Sequence, residues 1–415
     1  MLGARKYGQR RQFRLNNDQA GIRKHRPDYF LLVIMAALLV IGAVVVYAIG
    51  PGLTHGKNLP ESYFTSKQLT AIALGIVGFI LASRIPLKRW KTLQWPVIIL
   101  AVIVALLVRV VGEEINGAHR WIQVAGFSFQ AAELIKLAIV LWLSNYLFTR
   151  MRSGEMASNK VLKTLGIVCI GLYLVVAELQ SDLGSAAVMV AVIAISAFVA
   201  GLPMRRMMLV AIAGLLFASV AILSTPYRRD RVATFLNPVA DCQAEGYQAC
   251  QALITIGSGG LFGKGLGRSV QAYGYLPEPA NDSIFAIVAE KFGFVGASIV
   301  VALFWLLFRR IAVIARSAPD EYTRLLVTGV LVWLSVQMAI NIGAMVGLLP
   351  LKGITLPFVS YGGTSIIFVM IAMGIVFEAS RYTDLQTQKT MIHTDIRKQS
   401  TNDHRPSIIR YGRTK

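Results

Sequence analysis

The sequence predicts an all-α, polytopic integral membrane protein with about ten transmembrane helices and one long extracytoplasmic loop between helices 7 and 8. Hydrophobic residues make up 55% of the 415 residues and charged residues only 15%, whereas soluble domains carry about 25% charged residues. Apolar runs long enough to cross a bilayer recur along the chain. Most Lys and Arg residues fall in the two terminal tails and between alternate runs. This composition excludes a disordered chain and argues against a soluble one.

Each predicted helix is a run of roughly 20 mostly apolar residues, the length that crosses the hydrocarbon core. The first run, 30–50, has no charged residue and ends at Gly50-Pro51-Gly52, which is typical of a helix stop and not of a signal-peptide cleavage site. The same criterion places further helices at about 68–84, 95–111, 131–148, 161–178, 184–200, 207–224, 284–308, 325–348 and 360–379.

The distribution of basic residues predicts the orientation. Ten spans place both termini on one side, and 30 of the 42 Lys and Arg residues fall on that side. Basic residues accumulate in cytoplasmic segments, so both termini are expected in the cytoplasm. The chain then divides into a basic tail at 1–28, a transmembrane domain at 29–380 and a second basic tail at 381–415. We interpret the net charge of +21 as basic residues that set the orientation of the chain in the membrane and contact anionic lipid. No nucleic-acid partner is expected.

The opposite face carries one long loop, about 225–283, which is far longer than a simple connection. Its many glycines suggest re-entrant or pocket-lining backbone. Cys242 and Cys250 both lie in this loop, and a disulfide between them is plausible in an oxidising compartment. The sequence leaves this pairing open, because it shows no geometry.

Ionisable residues near membrane depth mark candidate sites, because a charge in the hydrocarbon costs at least about 2.5–3.5 kcal/mol. Glu133 and Lys136 are three residues apart, so they share one face of a helix. They are either a buried structural pair, or Glu133 orients a substrate while Lys136 or Arg120 holds an anionic head group. Asp182, at the start of the sixth span, is either a helix cap or a site residue.

The outer loop and the eighth span supply further candidates. Arg231 lies near the start of the loop, and Lys264 sits among glycines whose amides could approach a phosphate. Glu278 and Asp282 close the loop. Asp282, just before an apolar helix, is either a cap or a general base with a raised pKa.

The segment 350–365 breaks regular helix at membrane depth with two prolines and three glycines. Such backbone is tolerated only where it is buried in protein or lines a cavity. Lys352 and Ser360 lie in it. Gln337 and Asn341, four residues apart in the ninth span, either line the same cavity or bond between helices.

Together these segments resemble the shape, elongation, division and sporulation (SEDS) family over about residues 28–380. The runs 257–285 and 348–365 carry most of the resemblance. Ser269-Val270-Gln271, Tyr275-Leu276-Pro277-Glu278 and Lys352–Pro357 resemble the division branch, because the elongation branch usually has proline where Thr355 stands. Departures from the family pattern are Ala131 and Ser181, each in place of a proline, and Ala280-Asn281 before Asp282.

The resemblance implies a peptidoglycan glycosyltransferase that polymerises lipid II into β-1,4 glycan strands at the outer face of the bacterial cytoplasmic membrane, at the division septum. It assigns Asp282 as the base that deprotonates the acceptor sugar. The residues expected to bind substrate are Arg120, Glu133, Lys136, Asp182, Arg231, Lys264, Glu278, Lys352 and Ser360. No cofactor is required, although a divalent cation, Mg²⁺ or Mn²⁺, could help to neutralise the pyrophosphate leaving group.

The resemblance also implies partners, namely a class B penicillin-binding protein with transpeptidase activity and other proteins of the division machinery. Two other functions stay open: a lipid II flippase, because ten spans with broken helices also suit a transporter, and a non-catalytic scaffold for a penicillin-binding protein. A transporter needs polar residues through the whole depth of the membrane. Here the candidate ionisable groups cluster at the outer side, which favours the enzyme.

Overall fold

The structure, a computed structural model, describes residues 22–55, 59–115, 118–124, 127–208, 242–243, 246–351 and 353–384. The helices are α1 (Tyr29–Thr54), α2 (Tyr63–Arg84), α3 (Leu87–Val111), α4 (Ala131–Ser153), α5 (Asn159–Leu172), α6 (Leu183–Val199), α7 (Tyr247–Ser258), α8 (Ile284–Arg316), α9 (Glu321–Met345) and α10 (Gly363–Ala379). The strands are β1 (Ile22–Lys24), β2 (Glu113–Ile115), β3 (Ala118–Val124), β4 (Phe127–Gln130) and β5 (Tyr382–Asp384).

The all-α, polytopic membrane fold is confirmed. Nine of the ten predicted spans coincide with helices in the described ranges, the fifth continuing from α5 through a π-helical turn, Tyr173–Leu179. The other, 207–224, lies outside the described residues from 209 onward. Within the described ranges, seven helices are long and apolar enough to cross a membrane, and α6 and α10 are shorter apolar helices.

Helix α4 lies at the centre of the described bundle, packed against α3, α6 and α9. Its residues from Ala131 to Leu141 are all buried. Gly329 of α9 permits close contact, because a Cβ there would lie 3.0 Å from the Cγ1 of Val140. A polar side chain in the first turns of α4 therefore has to find its partner inside the protein.

The two ends of the transmembrane domain meet on one side of the bundle, as an even number of spans predicts. Strands β1 and β5 pair antiparallel, with Ile22 opposite Asp384. Asp28, whose side chain caps α1, forms an ion pair with Arg310 at 2.7 Å. Its backbone amide donates to the Ser380 hydroxyl. The start of α1 and the ends of α8 and α10 are thereby held together on this face.

All five strands and helix α7 are absent from the sequence prediction. Strands β2, β3 and β4 form an antiparallel sheet in the connection between α3 and α4. Alternation of apolar and polar residues in 121–130 suits a strand pair, but the runs are too short to stand out beside the helices. Helix α7 lies in the long outer loop and packs against α8.

The loop cysteines are joined in the structure. Cys242 and Cys250 form a disulfide, with their Cα atoms 5.6 Å apart. Cys250 lies in α7 and is buried, and its amide donates to the carbonyl of Gly246. The bond therefore ties the chain that enters from the outer loop to the first turn of α7.

We expect this disulfide in protein purified without reductant. Mass spectrometry of peptides prepared under non-reducing conditions should show Cys242 linked to Cys250. Cys169, the free cysteine among the described residues, should be alkylated without prior reduction, under denaturing conditions, and serves as the internal control. Recovery of Cys242 and Cys250 as alkylated peptides without reduction would contradict the pairing.

Candidate active site

Asp282 lies in a tight turn that leads into α8. The amides of Asn281 and Ser283 both donate to the carbonyl of Glu278, and the Ser283 hydroxyl donates to the carbonyl of Pro277. Glu278 has a left-handed backbone conformation (φ 49°), which is uncommon for a residue with a side chain. The N-cap of α8 is Ser283, without a side-chain capping bond. Asp282 is therefore not the cap of α8, and its carboxylate is available for another role.

Three consecutive carbonyls of this turn are held by other parts of the chain. The Ala280 carbonyl accepts from the Tyr361 amide at 2.8 Å, and the Asn281 carbonyl from the Ser360 hydroxyl at 2.5 Å. The Asp282 carbonyl accepts from Nδ2 of Asn341 at 2.7 Å. We call these three bonds the carbonyl clamp. They fix the main chain on both sides of the Asp282 carboxylate and use main-chain oxygens only.

The segment that supplies the clamp is itself held in place. Ser360 Oγ, besides donating to the turn, accepts from the Leu356 amide at 2.7 Å. Asn341 Nδ2 also donates to the Ile354 carbonyl at 2.7 Å. The irregular backbone that the sequence predicts at 350–365 is thus buried against α9 and the Asp282 turn. Ser360, expected from the sequence to bind substrate, contacts the main chain of this turn.

The electrostatic environment of Asp282 suits a general base. Its Oδ1 is buried and accepts no hydrogen bond. Burial disfavours the charged form, and the neighbouring Glu278 carboxylate adds like-charge repulsion, so the pKa of Asp282 is raised from 3.8 to about 7. Backbone amides and Gln248 oppose this shift more weakly. A carboxyl group with this pKa can take up a proton and release it at neutral pH.

Glu133 and Lys136 form a buried pair in the first turns of α4. The Lys136 ammonium lies 2.7 Å from Oε1 of Glu133 and donates at 2.7 Å to Oε1 of Gln337. Gln337 Nε2 donates in turn to the carbonyl of Thr355 at 3.0 Å, and the Thr355 and Ser365 hydroxyls lie 2.9 Å apart. The pair therefore supports the same segment that carries the clamp. One oxygen of Glu133, Oε2, has no hydrogen-bond partner.

Asp182 is a cap and a link between helices. Its Oδ1 accepts from the amide of Ser185 at 2.9 Å at the start of α6, and its Oδ2 accepts from Nε2 of Gln130 at 3.1 Å. The Gln130 amide donates to the Thr364 hydroxyl at the start of α10. Ser181, before Asp182, has φ 53°, a value that a proline ring cannot reach. The turn before α6 therefore differs from one built with the family's usual proline.

Lys264 and the outer-loop glycines pack against α8. Lys264 Nζ lies 3.7 Å from the buried Oε1 of Glu290 and is about one-third exposed. The Lys264 and Gly265 amides donate to the carbonyls of Glu290 and Lys291. The sequence suggested that these amides could approach a phosphate. In the structure they bond α8 and hold the loop against it. Glu290 also accepts from the Ser269 hydroxyl and the Val270 amide, so it fixes the chain that leads to the Asp282 turn.

For three of the predicted site residues the structure gives no side-chain position. Arg120 lies in β3 at the bulge between the pairs Glu113–Trp121 and Glu114–His119, and its side chain is outside the description. Arg231 and Lys352 lie outside the described residues. The structure therefore brings Asp282, Glu278 and Ser360 together, places Glu133 and Lys136 behind Thr355, and puts Lys264 beside Glu290.

Sequence reasoning gave no role to Glu290, Lys291 or Gln248. Glu290 and Lys291 are fully buried, and two adjacent charges inside an apolar span should have marked them as candidates. Gln248 had no comparable signal, because its contact with Ser283 depends on how α7 packs. Among the described residues no group of three His, Cys, Asp or Glu side chains could hold a metal ion.

The arrangement defines a polytopic membrane protein with a carboxylate of raised pKa fixed at one end of its bundle. A family model described as "Cell cycle protein" (FTSW_RODA_SPOVE) matches residues 29–385. The chain belongs to this family, the one that the sequence motifs resemble.

Similar proteins extend over nearly the same range. Stage V sporulation protein E of Bacillus subtilis (strain 168) is 36% identical over 365 residues, covering 87% of this chain and 99% of that protein. A protein named "Probable peptidoglycan glycosyltransferase FtsW" from Coxiella burnetii is 36% identical, covering 86% and 97%.

Two solved structures share the fold. One, described as "Structural coordination of polymerization and crosslinking by a peptidoglycan synthase complex", has a TM-score of 0.72 and 29% identity, covering 86% of this chain and 98% of that one. The rod shape determining protein RodA of Thermus thermophilus has a TM-score of 0.64 and 27% identity, covering 86% and 97%.

The Glu133–Lys136 pair yields a stability prediction. Lys136→Met keeps the length of the side chain but leaves the Glu133 carboxylate buried without its counter-charge. We expect a loss of about 3–5 kcal/mol in the free energy of unfolding. Lys160→Met, at the exposed start of α5, is the matched control. The double variant Glu133→Gln/Lys136→Met should recover most of the lost free energy of unfolding.

Unfolding of the purified variants in detergent checks this expectation. If Lys136→Met and Lys160→Met unfold at the same temperature, the pair does not stabilise the bundle.

Proposed function

We propose that this chain is a peptidoglycan glycosyltransferase that polymerises lipid II at the outer face of the cytoplasmic membrane. The observation that carries the proposal is the Asp282 carboxylate, which the carbonyl clamp holds at the end of the bundle with a pKa of about 7. The relatives named peptidoglycan glycosyltransferase support the same reaction, because they cover most of this chain.

In the proposed reaction Asp282 removes the proton from the 4-hydroxyl of the acceptor's terminal N-acetylglucosamine. That oxygen attacks the anomeric carbon of the donor's N-acetylmuramic acid. The bond from this carbon to the undecaprenyl pyrophosphate oxygen breaks, and pyrophosphate leaves with the bonding electrons. Attack from the opposite face converts the α-linked donor to a β-1,4 bond. Asp282 then releases its proton, which a pKa near 7 allows at neutral pH.

Basic residues are proposed to neutralise the departing pyrophosphate. Arg120, Arg231 and Lys352 are the side chains that we assign to this task. Lys136 already shares its charge with Glu133 and Gln337, so its proposed contribution is to position Thr355. Lys264, paired with Glu290, has the same kind of role toward the outer loop.

A divalent cation, Mg²⁺ or Mn²⁺, would supply further positive charge against the leaving group if one is bound at the site. Such an ion needs only one or two protein carboxylates in addition to substrate phosphate. Loss of polymerisation on chelation with EDTA and its return on adding Mg²⁺ would support the ion, and unchanged activity in EDTA would remove it.

The distribution of polar residues supports an enzyme over a flippase. In α4, the central helix, the residues from Leu137 to Leu143 that follow the Glu133–Lys136 pair are all apolar. A transporter would need polar lining through this depth. The buried ion pair and the carbonyl clamp instead lie toward one end of the described bundle.

A crosslinking partner and a role in division complete the proposal. The structural neighbour comes from a complex that couples polymerization to crosslinking, and a class B penicillin-binding protein supplies that chemistry. Identity is 31–37% to several relatives named FtsW and 27–28% to RodA, which favours the septum as the site of action. A functional fluorescent fusion found along the side wall and not at mid-cell would contradict this location.

The polymerisation assay tests the catalytic role of Asp282. Purified protein with labelled lipid II, alone and with the partner transpeptidase, should give glycan ladders on a gel. Asp282→Asn preserves the shape of the side chain but cannot accept the proton, so ladders should fall by at least about 100-fold. The control is Glu155→Gln. Glu155 is an exposed acid that pairs with Arg150 at the far end of α4, so this substitution should leave the ladders unchanged.

Ladders that persist in Asp282→Asn would remove Asp282 from its role. Wild-type protein that yields no ladders, even with its partner, but moves labelled lipid II across a vesicle membrane would establish the flippase instead. Wild-type protein that does neither, while raising the activity of the partner, would indicate a scaffold.

The raised pKa of Asp282 predicts how activity depends on pH. The base acts only when deprotonated, so the rate should rise with pH through about 7 and fall to roughly one-hundredth of its plateau near pH 5. Glu278→Gln removes the like charge but keeps an oxygen to accept from Asn281. The acid limb of this variant should move to lower pH, yet remain above the ordinary range of a carboxyl group because burial is the larger cause.

Initial polymerisation rates between pH 5 and 9 measure this shift in both proteins. An acid limb that is identical in wild type and Glu278→Gln would show that Glu278 does not act on the titrating group.

A further inference from the structure

The turn between α7 and Lys264 is joined to a break in α8. Gly293 interrupts α8 with φ 68° and ψ −168°. After the break, the amides of Phe294 and Val295 donate to the carbonyls of Gly260 and Leu261, at 2.9 and 3.1 Å. The turn thus supplies backbone acceptors where the regular helix is interrupted.

Glycines make this contact possible. A Cβ on Gly263 would lie 2.2 Å from the carbonyl oxygen of Lys291, and one on Gly293 would lie 2.4 Å from the amide of Gly263. Real Cβ atoms do not approach backbone this closely, so the two segments meet at main-chain distance. The turn and the broken part of α8 therefore form one unit at one depth.

That depth can be estimated from α8. Arg310 forms an ion pair with Asp28 at the start of α1, which places this level at one boundary of the bilayer. Phe294 precedes Arg310 by 16 residues, or about 24 Å of helix at roughly 1.5 Å per residue. Phe294, and with it the turn at 260–261, lies roughly 6 Å inside the other boundary of a core about 30 Å thick, and a tilted helix would place it deeper.

Large apolar side chains are exposed at this depth. Phe262 is 81% exposed, Leu261 65% and Phe294 69%, and we call these three residues the apolar tip. The tip continues along α8, because Phe294, Val301 and Trp305 share one helix face and are all exposed. That face belongs to a helix long and apolar enough to cross the membrane, so lipid is the neighbour that the stripe requires.

Five backbone groups of the turn are hydrogen-bonded, as a position in hydrocarbon favours. The carbonyls of Gly260 and Leu261 accept from α8, and the amides of Gly259, Gly260 and Gly263 donate to carbonyls within the segment 256–259. Irregular backbone survives in a bilayer only with its polar groups satisfied in this way.

We propose that the apolar tip is a re-entrant anchor inserted among the acyl chains of the outer leaflet. The anchor is connected to the Asp282 turn by two routes. Glu290 bonds the Ser269 hydroxyl and the Val270 amide, and Gln248 of α7 contacts the Ser283 hydroxyl at 3.4 Å. If Asp282 is the base, as the proposed function has it, the anchor holds Asp282 at the level where a lipid-linked sugar leaves the bilayer. This consequence rests on the proposed function.

Site-directed spin labelling tests the insertion without any assay of activity. Phe262→Cys is labelled in a Cys169→Ser background with the disulfide intact, and the protein is placed alone in bilayers of phosphatidylethanolamine and phosphatidylglycerol. Collision with oxygen, which concentrates in lipid, is compared with collision with a water-soluble nickel chelate. Ile299→Cys on the exposed apolar part of α8 and Lys160→Cys at the exposed start of α5 are the references.

The label at Phe262 should match Ile299→Cys, with oxygen collisions several-fold more frequent, relative to the nickel chelate, than at Lys160→Cys. A label that collides mainly with the nickel chelate would place the tip in water and overturn the proposal. Low collision with both reagents would show a tip covered by protein, such as a second copy of the chain, and would also overturn it. Phe294→Cys repeats the measurement if Phe262→Cys does not fold.

Discussion

Within a bilayer, a polar group that finds no partner in the protein costs several kcal/mol, and the described bundle is organised by this constraint. The ammonium of Lys136 is shared between Glu133 and Gln337. The carboxylate of Glu290 is surrounded by donors from the loop at 264–271. The amides beyond the break in α8 reach the turn at 260–261. Each irregular segment is thereby tied to a helix, and the ties determine where the outer end of the bundle is rigid.

Asp282 stands out against this background, because its surroundings bond the main chain of its turn and leave Oδ1 without a hydrogen bond. A rigid carboxylate with little stabilisation of its charged form is what a general base requires. The clamp from Tyr361, Ser360 and Asn341 accounts for the rigidity, and burial beside Glu278 accounts for the raised pKa. The same constraint that stabilises the bundle therefore also prepares the site.

The helical architecture was predictable because each transmembrane span is a long, continuous run of apolar residues in the sequence. The predicted span 184–200 agrees within one residue with Leu183–Val199, whereas α3 begins at Leu87 and not at 95, and α8 ends at Arg316 and not at 308. Helix α7 and the sheet of β2 to β4 were not predicted, since each is short and depends on neighbours for its stability. In the site, Asp282 and the Glu133–Lys136 pair were found from charge at membrane depth. Glu290 was overlooked although it carries the same signal, and Gln248 carries none.

The sequence by itself determined the class of protein, the order of the spans that the structure describes, and the carboxylate on which the chemistry is proposed to depend, because hydropathy, charge and motif are local properties. Only the tertiary structure decided what Asn341, Ser360 and the outer-loop glycines do. Their roles depend on contacts between residues far apart in the chain, such as Asn341 with Asp282 and Gly263 with Lys291. Such contacts are set by how helices pack, and no local pattern of residues specifies that packing.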